Sequence, residues 1–308
     1  MSSIPGKVRI AILGALVVGG LLVPAGSASA QTLNGIWAPF TRCPVDSPSI
    51  LASDGVSSQP ACIAASSPNG SIKLGNSTQT TGATDLQLGA TIDTATAAFS
   101  LVSPAGGALV AEPVNVEGGL LGLMCPSDIP LVSAICDGLV GSPLNAVTAV
   151  VEPAGEPSNF SRIAALTLGQ PIVTMPVKVH LVNPVLGPNC YIGSDSNPIV
   201  LRPRNLTRPS LSAAVGDLDG TPNPAGRLAR LTGVSTQGDD TFAVPGATGC
   251  GLLGVLNTAV NQQQGLPSPA GNNNLVLNNA SSALISRGNQ GPVTGQEFSD
   301  GWHSAVLP

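Results

Sequence analysis

"PVKVHLVNP", residues 176–184, decides the fold class of this chain. Val177, Val179 and Leu181 alternate with Lys178, His180 and Val182, the two-residue period of a strand with one buried face. Pro176 and Pro184 bound it. The same period recurs upstream in "SIKLG" (71–75) and "TDLQLGATIDTATAAFSLV" (84–102), where Ile72, Leu74, Leu86, Leu88 and Ile92 alternate with small or polar residues. "EPVNVEGG" (112–119) continues it with Val114 and Val116. With 37 Gly and 28 Pro in 308 residues, long helices are disfavoured and short strands joined by turns are favoured. The expected fold is mainly β: an antiparallel sandwich or other two-layer architecture, with a few short helices and disulfide staples.

Two segments break the alternation. Within 120–151, Asp128 and Pro130 are helix-start residues, and Gly138 or Gly141 can end a short helix that carries Cys136. In "GLLGVLNTAVNQQQG" (251–265), Leu252, Leu253, Leu256 and Val260 fall on one helical face and Gly265 stops it. Residues 265–274, with "LPSPAGNNN", read as a flexible loop, and residues 31–70 as a turn-rich N-terminal segment. "GLLGLMC" (119–125) and "CGLLGVL" (250–256) echo one another, but too briefly for a duplicated half.

The first thirty residues read as an export signal. Lys7 and Arg9 precede the apolar run Ile10–Val23, and Ala28-Ser29-Ala30 matches the small-x-small pattern of signal-peptidase sites. A membrane span needs ~20 apolar residues, more than this run supplies. Cleavage would leave 31–308 as a single secreted domain with no transmembrane anchor.

All six cysteines, Cys43, Cys62, Cys125, Cys136, Cys190 and Cys250, lie beyond the signal. An even count in an exported chain reads as three disulfides. Six cysteines allow ~15 pairings; sequential pairing, 43–62, 125–136 and 190–250, is expected. Zinc is disfavoured, because no CxxC occurs and both histidines are far in sequence from any cysteine pair.

Charge excludes further classes. Without Lys7 and Arg9, ten basic residues face seventeen acidic ones. That balance argues against nucleic acid and anionic membrane surfaces as partners. Charged residues are only 9% of the chain, so its polar surface rests on Ser, Thr, Asn, Gln and Gly.

No GxSxG, SxxK or HExxH motif occurs, and no cofactor-binding motif is visible. His180 therefore reads as a solvent-side imidazole beside Lys178, with Asp195 the nearest carboxylate for a hydrolytic alternative. His303, in "FSDGWHSAVLP" (298–308), reads as part of a tail turn. "GDLDGTPNP" (216–224) opens like a calcium loop, but its twelfth position is Leu228; only a looser site on Asp217 and Asp219 stays open. Arg202, Arg204 and Arg208 in "VLRPRNLTRP" (200–209) read as a charge-guarded strand edge rather than an anion site.

"PVKVHLVNPVLGPNCYIGSDSNPIVL" (176–201), with the signal and the low-charge, Gly- and Pro-rich body, resembles a group of uncharacterised secreted actinobacterial proteins. The resemblance spans roughly residues 170–201. It implies export and a cell-envelope setting, with envelope components as partners, and carries no catalytic residue. The function expected is non-enzymatic, structural or ligand-binding. A secreted ester or glycan hydrolase is the alternative. An envelope pore comes third, since two Trp and one Tyr are few for the aromatic girdles of such barrels.

Overall fold

The computed structural model describes residues 32–308; the export-signal reading of 1–30 lies outside the described residues. Among these, the strands form two antiparallel sheets. The larger has ten strands: β1 (Ser58–Ser67), β2 (Asn69–Leu74), β3 (Ser77–Thr81), β4 (Thr84–Asp93), β5 (Phe99–Val102), β6 (Leu109–Ala111), β12 (Arg204–Asn205), β13 (Ser210–Gly216), β14 (Leu228–Asp239) and β16 (Asn274–Arg287). The smaller has six: β7 (Val114–Asn115), β8 (Thr148–Pro153), β9 (Met175–Val182), β10 (Tyr191–Ile192), β11 (Ile199–Leu201) and β15 (Ala247–Thr248). Six short α-helices accompany them: α1 (Pro48–Leu51), α2 (Gly119–Met124), α3 (Pro130–Leu139), α4 (Arg162–Leu166), α5 (Asn257–Gln264) and α6 (Gly295–Ser304). The main path of the large sheet is β12-β14-β16-β1-β4-β5 and that of the small sheet β15-β10-β9-β8-β7.

The two-residue period of β9 is realised as expected. Met175, Val177, Val179 and Leu181 are buried and the intervening residues half-buried, so one face of the small sheet turns into a core shared with Ile63, Leu86, Leu88 and Leu284 of the large one. β1 is different. Pro60 to Ala64 are buried without a break, because β1 lies between β16 and β4 and is covered on both faces. Ala61 and Ile63 enter the inter-sheet core, while Cys62 and Ala64 enter a second core on the opposite face. The segment expected to be turn-rich thus holds a central strand. Continuous burial removes the alternation by which sequence patterning finds strands.

The second core is aromatic. Trp37, Phe40 and Phe298 are fully buried and Trp302 nearly so. The Trp37 and Phe298 rings meet edge-on at 4.8 Å, and each indole N–H donates to a backbone carbonyl, Trp37 to Leu218 and Trp302 to Phe40. Buried Trp normally needs such a partner. The covering layer is the N-terminal stretch 33–50 together with α6. Gly295 starts α6 so close to α1 that a Cβ there would sit 1.8 Å from the Ile50 carbonyl oxygen. His303 therefore belongs to a helix rather than a tail turn. Thr294 and Glu297 close a capping box at its start, satisfying two backbone N–H groups reciprocally.

Three disulfides join Cys43 to Cys62, Cys125 to Cys136 and Cys190 to Cys250, and the described residues contain no free cysteine. They fasten the N-terminal cover to β1, α2 to α3, and the start of β10 to the segment before α5. The helix expected over 251–265 is shorter than the pattern indicated. Gly251 and Gly254 take positive φ and break it, so only Asn257–Gln264 is α-helical. Leu256 and Val260 are buried, but Leu252 and Leu253 are 83% and 96% exposed. The flexible-loop reading of 265–274 meets a segment pinned at both ends. Ser268 bridges Val244, and the buried Asn273 amide donates to the Phe242 and Pro269 carbonyls. No helix among the described residues is long and apolar enough to cross a membrane.

Candidate functional site

Two apolar clefts open between the sheets. The first is walled by β1, β4, β14 and β16 on one side and by the segment 160–175 on the other, with Ile63, Leu86, Phe160, Leu166, Met175 and Leu284 lining it. It encloses about 860 Å³ of space not filled by atoms, counting the open solvent at its mouth. The second lies against β2, β3 and β8–β10, lined by Ile72, Leu74, Val151, Val179, Leu181 and Leu266, and encloses about 810 Å³ on the same measure. Thr84 borders both.

Each cleft has one charged residue in its lining, and the two differ in sign. In the first it is Arg162, exposed on α4; in the second it is Glu112, whose carboxylate accepts a hydrogen bond from the Ala83 amide. The position of α4 is set by one buried side chain. The Asn205 amide donates to the Ala164, Ala165 and Thr167 carbonyls, while its oxygen accepts from Ser235 and Gln237. Gln237 spends its second N–H on the Ser282 hydroxyl. This network gives the first cleft one polar wall whose donors are already engaged. Nothing in the local sequence marks it; Asn205, Ser235 and Gln237 converge only through the β12–β14 pairing and α4.

The outer face of the small sheet carries most of the ionisable groups read from the sequence. His180 stacks on Tyr191, with ring centroids 4.4 Å apart and an interplanar angle of 16°. Its Nδ1 lies 3.2 Å from Glu152 Oε1 on β8. His180 is thus no free solvent imidazole: its side chain is 20% exposed, and its buried Nε2 has no hydrogen-bond partner. The carboxylate beside it is Glu152, not Asp195. Asp195 instead pairs with Lys178 at 2.7 Å. That hydrogen bond holds the Lys178 ammonium above its ordinary range, and burial, reinforced by the Glu152 carboxylate, pushes the Tyr191 phenol up. The cluster sets the His180 imidazole beside the Glu152 carboxylate, and no hydroxyl among the described residues bonds His180.

The remaining expected residues serve local structure. Asp217 accepts two hydrogen bonds from the Asn223 amide, and Asp219 accepts from the Thr221 backbone in a turn through Gly220. Among the described residues no three His, Cys, Asp or Glu side chains gather as a metal site. Arg204 pairs with Asp240 at 2.8 Å, in keeping with a guarded edge. His303 bonds Asp46, which also accepts from the Ser299 hydroxyl; burial opposes, but these bonds hold the Asp46 carboxyl below its usual value. The carboxylate sits between the serine and the histidine, so the imidazole does not reach the hydroxyl as a general base must.

No protein-family model, curated protein or solved structure matches the chain.

Proposed function

We propose that this is a secreted, non-enzymatic protein that holds an apolar ligand between its two sheets. The observation that carries the reading is the pair of open apolar clefts on the large sheet, one closed on its far side by the segment 160–175 and the other by the small sheet, where a sandwich ordinarily closes on itself. Tight interiors have few voids larger than a water molecule. Apolar surface kept open at a mouth is the usual form of a site that takes up greasy molecules. Three disulfides and the thirty-residue leader support export, and the envelope setting follows from the same leader and from the resemblance over 170–201.

The test is a titration of the purified protein with 1-aminoanthracene, a neutral apolar fluorophore. A blue-shifted emission that saturates at one or two molecules per chain is expected. A flat or unsaturable response would sink the reading.

A hydrolase is a second reading, favoured by the Glu152 carboxylate within reach of His180. Were it correct, hydrolysis of a panel of esters and glycans would fall by orders of magnitude in His180→Ala, with folding unchanged. The binding reading expects no turnover in the wild type and the same 1-aminoanthracene titration in the variant.

A further inference from the structure

We infer that the Arg162 cleft takes a long-chain carboxylate, its tail between the sheets and its head group on the Arg162 guanidinium. The inference rests on the apolar-ligand reading above and names the ligand class for one of the two clefts.

Three observations converge on Arg162. It is the only charged residue among those lining the first cleft. It is exposed on α4, and its guanidinium makes no hydrogen bond or ion pair to any described residue. Arg42, Arg204 and Arg227 are paired with Asp85, Asp240 and Glu297; Arg202, Arg208 and Arg287 are also without a side-chain partner among the described residues, but none of them lines either cleft. A guanidinium offers five N–H donors in a planar fork that matches a carboxylate. At an apolar mouth this one has none of them taken.

The cleft lining supplies no second charged group for a head group to pair with. Its one buried polar side chain is Gln237, which donates to the half-buried Ser282 hydroxyl and to Asn205; the other uncharged polar lining residues are the half-buried Thr84 and the exposed Ser66. A carboxylate carried inside would lose its hydration with little in return, which is costly for an ionised group. At the mouth it keeps water on one side and gains a charge-assisted bond on the other. The tail then meets Leu166, Phe160 and the Ile63, Leu86 and Leu284 side chains.

The second cleft has the opposite rim. Its one charge is the Glu112 carboxylate, so a fatty acid entering there would set like charges together. The inference therefore assigns carboxylates to one cleft and not the other.

The experiment is displacement of cis-parinaric acid, a fluorescent polyene carboxylate, by palmitate, hexadecan-1-ol and hexadecylamine. Palmitate should displace it about tenfold more effectively than the alcohol, the scale of one charge-assisted hydrogen bond. Arg162→Gln should lower palmitate affinity about tenfold, to the level of the alcohol, and leave the alcohol unchanged. Arg162 is exposed, so the variant is expected to fold. Ala165→Trp, on the cleft-facing side of α4, should abolish cis-parinaric acid binding by filling the space. Equal affinity for palmitate and hexadecan-1-ol, or an unmoved palmitate affinity in Arg162→Gln, overturns the carboxylate assignment while leaving the apolar-ligand reading intact. Undiminished binding in Ala165→Trp overturns the assignment to this cleft. Failure of every probe, with 1-aminoanthracene also silent, overturns both.

Discussion

The two faces of the ten-stranded sheet are filled in opposite ways. One face is sealed by large rings: Trp37, Phe40, Phe298 and Trp302 are four of the chain's two Trp, one Tyr and five Phe. The other face, toward the small sheet, is lined mainly by Leu, Ile, Val and Ala and keeps two clefts open. The same strands build both, since β1 sends Cys62 and Ala64 one way and Ala61 and Ile63 the other. The difference therefore lies in what covers each face. A cover of loop and short helix can be shaped around large rings. A second rigid sheet leaves gaps wherever its pleat does not match.

Replacing one residue on each face is the strongest way to break this contrast. Trp37→Ala should cost about 3–5 kcal/mol, the range for buried aromatics cut to Ala. Leu166→Ala on the cleft wall should cost under about 1.5 kcal/mol, because the half-buried side chain leaves no new closed cavity. Urea midpoints at matched slopes would measure both. Equal costs would mean that the clefts are ordinary packed core.

A smaller effect sharpens the sealed face. Arg227 pairs with Glu297 on α6, and together with the Thr294 amide it holds the Glu297 carboxyl at about 2, against 4.5 for a free glutamate. A depressed folded value stabilises the protein above the unfolded value. The contribution should thus be full above pH 4.5 and disappear as pH falls toward 2. Both side chains are over a third exposed, so water screens the pair and the effect should stay below about 1 kcal/mol. Thermal melts of wild type and Glu297→Gln from pH 6 to pH 2 should converge as acid removes the difference. Parallel curves would exclude the pair as a contributor.

Much of the fold was legible in the residues. The β9 alternation placed its buried face, and sequential pairing of the cysteines matched all three bridges. What escaped was whatever depended on a distant partner. β1 lost its period because both faces are buried. Leu252 and Leu253 matched a helical face that two glycines at positive φ prevented from forming. α6 did carry a local sign, Thr294 three residues before Glu297, which marks its start without reference to tertiary structure. Of the candidate site, the sequence showed His180 and Lys178 on one strand face but not Glu152, which β8 brings alongside. The clefts were least visible of all, since an empty space has no residue type.

The pairing of β1 sets an order in time. Ala61 lies beside Ser286 and Leu33 bridges Val306, so the first strand of the sheet and the cover over its aromatic face both wait for the last part of the chain. Neither can be completed while synthesis is under way. Contacts so far apart in sequence close slowly, after a large loss of chain entropy. In the interval β4 can already pair with one edge of β1, but the edge of Ala61–Ser66 that β16 will take stays bare, a template for pairing with another chain. Molecules stopped short of β16 should therefore aggregate rather than persist as partly folded monomers.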